Sequence, residues 1–146
     1  MTTSKTILLV EDNPLDAEMT LTALADYHLA NDILVLEDGE QALDFLYARG
    51  RFAGREGGLP VVMLLDLKMP KVDGLEVLRA VKADPLLRKL PVVMLTASRE
   101  EQDVVRSYEL GVNAYVVKPV GFQNFVDAVK QLGAFWTIHN EPPPAG

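Results

Sequence analysis

The chain has 146 residues, 49% of them apolar and 24% charged, with a formal net charge of -7 and no cysteine. That length suits one domain with a full core, and the balance is that of a soluble globular protein. The acidity argues against a general basic surface for DNA or anionic membrane, the lack of thiols excludes disulfides and thiolate metal sites, and two distant histidines, His28 and His139, do not suggest a histidine-rich metal centre.

The opening segment, MTTSKTILLVED, has an apolar run only over residues 7–10. This is too short for a secretory signal, and no run approaches a membrane span, so the cytoplasm is the expected location. That run, ILLV, is the first of five. ILVL follows at 33–36, VVMLL at 61–65, VVML at 92–95 and AYVV at 114–117. None alternates with polar residues, which suits strands buried on both faces of a parallel sheet.

Helix-period segments lie between the runs. In the first, residues 14–25, Leu15, Met19, Thr22 and Ala23 share a face. In the second, 39–48, the face is Ala42, Leu43, Phe45 and Leu46. In the third, 74–83, it is Leu75, Leu78 and Val81. A fourth helix is expected over about 100–110 and a fifth over about 122–132. Asn13 followed by Pro14 reads as an N-cap and first helical residue. Ser98 with Glu101, and more loosely Asp73 with Glu76, have capping-box spacing. Strands alternating with helices predict a doubly wound (βα)5 α/β fold, its topology restricted by right-handed crossovers. The Gly- and Arg-rich stretch 48–60 reads as a mobile surface loop. Residues 1–133 are read as one domain and 134–146 as a short tail without an output domain.

In such a sheet, ligands bind beyond the carboxyl ends of the strands. The strands end in Glu11-Asp12, Glu37-Asp38, Asp66, Thr96 and Lys118. Glu11, Asp12 and Asp66 form a hard, oxygen-rich set whose mutual repulsion a divalent cation relieves; Mg2+, or Mn2+ in its place, suits it. Lys118 supplies a point charge for a phosphoryl group and Thr96 a hydroxyl donor. Asp66 can act as a nucleophile that forms an acyl phosphate.

The stretches LLVEDNP, LLDLKMPKVDGLEVL, VVMLTAS and AYVVKP, in this order over residues 5–132, resemble the receiver domain of two-component response regulators. The resemblance implies a flavodoxin-like fold with strand order 2-1-3-4-5, an order for which a receiver is a standard example. It implies Asp66 as phosphoacceptor, Asp12 as direct metal ligand with Glu11 as its acidic partner, and the backbone carbonyl of Lys68 in the metal shell. It implies Thr96 and Tyr115 as the switch pair, Lys118 as the phosphate-binding lysine and a cis Lys118-Pro119 bond. VEDNP, the long loop before the third strand, RSYELGVNAYVVKP and the terminal Phe135-Trp136 resemble single-domain regulators paired with bacterial phytochromes. That implies a sensor histidine kinase as phosphodonor, a bacteriophytochrome among the candidates, and a homodimer built on the fourth helix, fifth strand and fifth helix.

Each residue also has a plainer reading. Asp12 alone is a loop acid, Asp66 alone caps a turn, Ser98 caps a helix and Tyr115 is a half-buried strand aromatic. Phe135 and Trp136 either pack on the last helix or form a self-association surface. The coincidence of Asp12, Asp66, Thr96 and Lys118 at four strand ends favours function. Two rival functions remain. A phosphatase of the haloacid-dehalogenase kind needs an acid two residues after the nucleophile, where Lys68 stands. A pseudo-receiver that never takes phosphate leaves the intact acids unexplained.

Overall fold

The computed structural model describes residues 6–25, 32–55, 58–69, 71–97, 100, 114–118, 123, 124 and 127. Five strands, β1 (Ile7–Val10), β2 (Ile33–Leu36), β3 (Val62–Asp66), β4 (Val92–Thr96) and β5 (Ala114–Val117), form one sheet. All pair in parallel, in the order β2-β1-β3-β4-β5. The flavodoxin-like topology expected from the sequence is therefore observed. β3 and β4 run one residue further than their apolar runs, so Asp66 and Thr96 are strand residues. Leu67 N–H still donates to Leu95 carbonyl at 3.0 Å, which fixes the backbone just beyond Asp66.

Side chains alternate across the sheet and fill two cores. Leu8, Val10, Leu65 and Met94 face helices α2 (Gly39–Tyr47) and α3 (Gly74–Ala83). Ile7, Leu9, Leu64 and Leu95 face helix α1 (Pro14–Ala25). The edges are wetter: Ile33, Leu34 and Val35 of β2 are only half-buried, as are Tyr115 and Val117 of β5.

The helices start where the sequence signals lie. Asn13 Oδ1 accepts from Asp16 N–H at 3.0 Å, Asp38 Oδ1 from Gln41 N–H at 2.8 Å, and Asp73 Oδ1 from Glu76 N–H at 2.9 Å. These bonds satisfy amide donors that a helix leaves unpaired. α2 and α3 bury the expected faces, with Val77 added to α3 and Leu43 and Leu75 only partly covered.

Two expectations need correction. On α1 the face packed on the sheet is Ala17, Thr20 and Leu24, with Leu21 half-buried beside them; Thr22 is exposed, and Leu15 and Met19 are 63% and 43% exposed. Apolar residues occur on both sides of this helix, and a threonine interrupts the true stripe. Its hydroxyl donates to Asp16 carbonyl at 3.0 Å, so its burial leaves no donor unpaired. The stretch 48–60 is not a free loop in its described part. Gly50–Phe52 form a 3-10 turn, and Phe52 meets the Phe45 ring edge-on at 5.2 Å. Arg55 stacks 3.9 Å over that ring and its Nε donates to Phe45 carbonyl at 2.8 Å.

The turn from β3 to α3 is held by close approach. A Cβ on Gly74 would run into Asp66 carbonyl oxygen, and one on Gly39 into Val72 carbonyl oxygen. Glycine lets both helix starts press against the turn that carries Lys68 and Met69. Most of the expected fourth and fifth helices, Ser98, the Lys118-Pro119 bond, His28, His139 and the tail with Phe135 and Trp136 lie outside the described residues. Among the described residues no helix is long and apolar enough to cross a membrane.

Candidate functional site

The strand order reverses between β1 and β3, and their carboxyl ends carry Glu11 and Asp66 side by side. Glu11 N–H donates to Leu36 carbonyl at 2.9 Å, so the β1 ladder extends to it and sets its side chain in the interior. Glu11 and Asp66 are buried; Asp12, one residue on, is exposed. One carboxylate oxygen from each of the three residues falls within 4.8 Å of the others.

Lys118 reaches this group from the end of β5. Its N–H donates to Thr96 carbonyl at 2.8 Å, which anchors the backbone. Its ammonium lies 2.9 Å from Glu11 Oε1, 3.1 Å from Asp66 Oδ1 and 3.2 Å from Asp16 Oδ2. The approach to Glu11 Oε1 is an ion pair by distance but falls outside hydrogen-bonding geometry, and this buried oxygen has no hydrogen-bond partner among the described residues. The contact with Asp16 does meet that geometry.

These contacts leave positive charge in short supply. Burial, then the neighbouring Glu11 carboxylate, pushes Asp66 up to about 7, and Lys118 only partly opposes the rise. Burial pulls the Lys118 ammonium down, but the Glu11 and Asp66 carboxylates outweigh it and the net direction is upward. One ammonium thus serves three carboxylates while Asp66 still resists ionisation. Glu11, Asp12 and Asp66 offer only hard oxygen ligands, with an exposed acid at the mouth and a buried oxygen lacking a hydrogen bond. The set fits a divalent cation such as Mg2+ or Mn2+.

Thr96 is fully buried and its hydroxyl has no hydrogen-bond partner among the described residues. An unpaired buried hydroxyl is costly, which marks it as a group awaiting a ligand or a change of state. Tyr115 sits opposite Met94 on the neighbouring strand, half-buried on the α2–α3 face. Two residues beyond Met94, Thr96 lies on that same face by alternation. Lys68 is exposed in the turn after β3. Asp38 stays out of the cluster: it caps α2, and Lys71 lies 3.9 Å from its second oxygen. A cleft of about 430 Å³ beside α1 reaches Glu11 and Asp12 but not Asp66 or Lys118, so it borders the acids rather than forming the centre.

The residue that sequence reasoning missed is Asp16. No strand-end rule selects a residue in the first turn of a helix, and only the folding of α1 against the sheet brings it to Lys118. Its spacing three residues after the Asn13 cap was the available signal, since that places it just inside the helix start.

The response regulator receiver domain family matches residues 7–130. The response regulator Rcp1 of Synechocystis sp. is 39% identical over 132 residues, 90% of this chain and 88% of Rcp1. The Mn(2+)-bound form of Rcp1 superposes with a TM-score of 0.73 at 38% identity, covering 97% of this chain and 99% of that one. The bacteriophytochrome response regulator AtBRR is 61% identical, with a TM-score of 0.90 over 96% of this chain and all of its own. The phosphorylated cyanobacterial phytochrome response regulator RcpA is 38% identical, with a TM-score of 0.71 over 91% of this chain and 94% of its own.

Proposed function

The chain belongs to the response regulator receiver family, and on that premise we propose that Asp66 takes a phosphoryl group from the phosphohistidine of a sensor histidine kinase. The observation that carries this reading is the buried Asp66 carboxylate, 3.1 Å from the Lys118 ammonium and grouped with Glu11 and Asp12. Asp66 Oδ attacks phosphorus in line, the P–N bond of the phosphohistidine breaks as the new P–O bond forms, and the imidazole leaves. Lys118 balances the charge gathering on the phosphoryl oxygens. Glu11, Asp12 and Asp66, with the Lys68 carbonyl, would hold Mg2+ or Mn2+, which supplies further charge neutralisation at those oxygens. The Mn2+-bound form of Rcp1 and the phosphorylated form of RcpA support both parts of the reading.

Phosphorylation acts as a switch. The unpaired Thr96 hydroxyl donates to a phosphoryl oxygen, and Tyr115, on the same face, follows it inward. Water attack on phosphorus then breaks the Asp66 P–O bond, releasing phosphate and restoring the carboxylate. The substrate of this cycle is the protein's own phosphoaspartate, so it acts as a signalling phosphoacceptor in the cytoplasm rather than as a turnover enzyme. AtBRR and RcpA are phytochrome regulators by name, which favours a bacteriophytochrome as the kinase partner. The proposed signalling form is a homodimer through the fourth helix, β5, the fifth helix and Phe135-Trp136.

Acetyl phosphate with Mg2+, read by intact mass, tests the central claim. One phosphoryl adduct is expected on the wild type and none on Asp66→Asn. An adduct of equal yield on the variant would remove Asp66 from the role. Sustained release of phosphate from phosphomonoesters would instead favour a phosphatase.

A further inference from the structure

Lys118 has three N–H donors and three carboxylates around it, Glu11, Asp16 and Asp66, at 2.9, 3.2 and 3.1 Å. The three acids are not equivalent. Glu11 and Asp66 belong to the group able to hold a divalent cation; Asp16 does not. A cation and a phosphoryl group therefore compete with Lys118 for Glu11 and Asp66 and leave its contact with Asp16 untouched. Asp16 is also built to stay in place. Its N–H donates to Asn13 Oδ1 at 3.0 Å and its carbonyl accepts from the Thr20 hydroxyl at 3.0 Å. Thr20 in turn is buried against the sheet.

From this arrangement we infer that Asp16 is a positioning residue for Lys118, the carboxylate that keeps the ammonium aimed at the phosphoryl site once Glu11 and Asp66 are engaged elsewhere. The inference rests on the proposed phosphoryl acceptance at Asp66 and adds to it a role for the first turn of α1. By sharing the ammonium, Asp16 also weakens the hold of Lys118 on Glu11 and Asp66, which eases entry of the cation. Without Asp16, Lys118 settles on those two acids and competes harder with the metal. Once a cation and a phosphoryl group have engaged those two acids, the long lysine stem would sample many rotamers without Asp16, so this remaining partner narrows its reach to the one useful position.

The test is a double-mutant cycle on the full chain with Asp16→Asn, Lys118→Ala and the pair. Calorimetric titration with MgCl2 and the rate of phosphorylation by acetyl phosphate at saturating Mg2+ are both measured. Asp16→Asn is expected to slow phosphorylation about fivefold and weaken Mg2+ binding by a similar factor, the scale of a partly exposed ion pair. In the Lys118→Ala background the same change is expected to alter neither quantity by more than about twofold. Asp16→Glu keeps the charge within reach of the flexible ammonium and is expected to restore most of the loss. An equal loss of Mg2+ affinity in both backgrounds would overturn the inference, because Asp16 would then act as one more negative charge and not through Lys118. Thermal melting of each variant separates these effects from failure to fold. If the wild type takes no phosphoryl group, the proposed function falls, while the Mg2+ titrations still decide the role of Asp16.

Discussion

At Asp66 two requirements oppose each other. The proposed nucleophile for phosphorus must be ionised, yet burial and the neighbouring Glu11 push its carboxyl up to about 7. The conflict yields a prediction with a definite sign. The folded chain holds the Asp66 proton more tightly than the unfolded chain, whose carboxyl keeps its ordinary value of 3.8. Stability contributed by Asp66 is therefore full below pH 3.8 and is lost as pH rises toward about 7 in the metal-free protein. Cation binding has the opposite slope, because the cation competes with that proton. With the Asp66 carboxyl at about 7, Mg2+ affinity should rise roughly fivefold from pH 6 to pH 7 and about twofold from pH 7 to pH 8. Calorimetry at the three pH values in buffers of different ionisation enthalpy reads both the affinity and the proton count. A flat profile would show that Asp66 is already ionised at pH 6. The acids, Thr96 and Lys118 were legible in the sequence because the ends of buried strands announce themselves by a change from apolar to polar. Asp16 was not, since its contact with Lys118 is 102 residues distant in sequence and exists only after the sheet has formed.

Among the elements, α1 best separates periodicity from packing. Leu15 and Met19 formed as good a stripe as Leu21 and Leu24 by spacing alone, and only the sheet decided between them. The outcome is measurable. Leu24 is buried against Leu9 and its neighbours in the α1-side core, so Leu24→Ala should cost about 2–5 kcal/mol through lost burial and a residual cavity. Leu15→Ala, at an exposed position, should stay within about 0.5 kcal/mol. Urea unfolding of the two variants at constant slope checks the contrast, and a larger loss for Leu15 would restore the sequence-based face. Elsewhere the sequence was a better guide. β1, β2 and β5 begin and end where their apolar runs do, whether fully buried like β1 or half-buried at a sheet edge like β2 and β5. The Arg-rich stretch before β3 lies on the surface as its composition suggests, with Arg49 and Arg51 exposed. Its order was not legible: Arg55 lays its guanidinium on Phe45 and its Nε on a helix carbonyl, contacts that composition does not reveal.

Across the whole molecule, the site is where the two cores meet. Glu11 and Asp66 end the central strands, Asp16 comes from the helix on one face, and Thr96 with Tyr115 borders the other. A change in charge at this edge therefore acts on both layers at once, which is what a phosphorylation switch needs. The same placement would make a cation bound there a folding ligand, because the three acids converge only in the native sheet. In a chain of net charge -7, screening by any salt also relieves repulsion, so the two effects must be separated. At Mg2+ a hundredfold above its dissociation constant, the gain in stability should be about 2.7 kcal/mol, whereas NaCl of equal ionic strength should give a much smaller one. Asp12 is the residue on which to test this, since it is exposed and its replacement leaves the buried Glu11–Lys118–Asp66 contacts in place. Asp12→Asn should keep the small gain from NaCl and lose most of the additional gain from Mg2+ in urea unfolding. Equal Mg2+ stabilisation of wild type and variant would place the cation elsewhere on the acidic surface and leave the strand-end carboxylates without their proposed ligand.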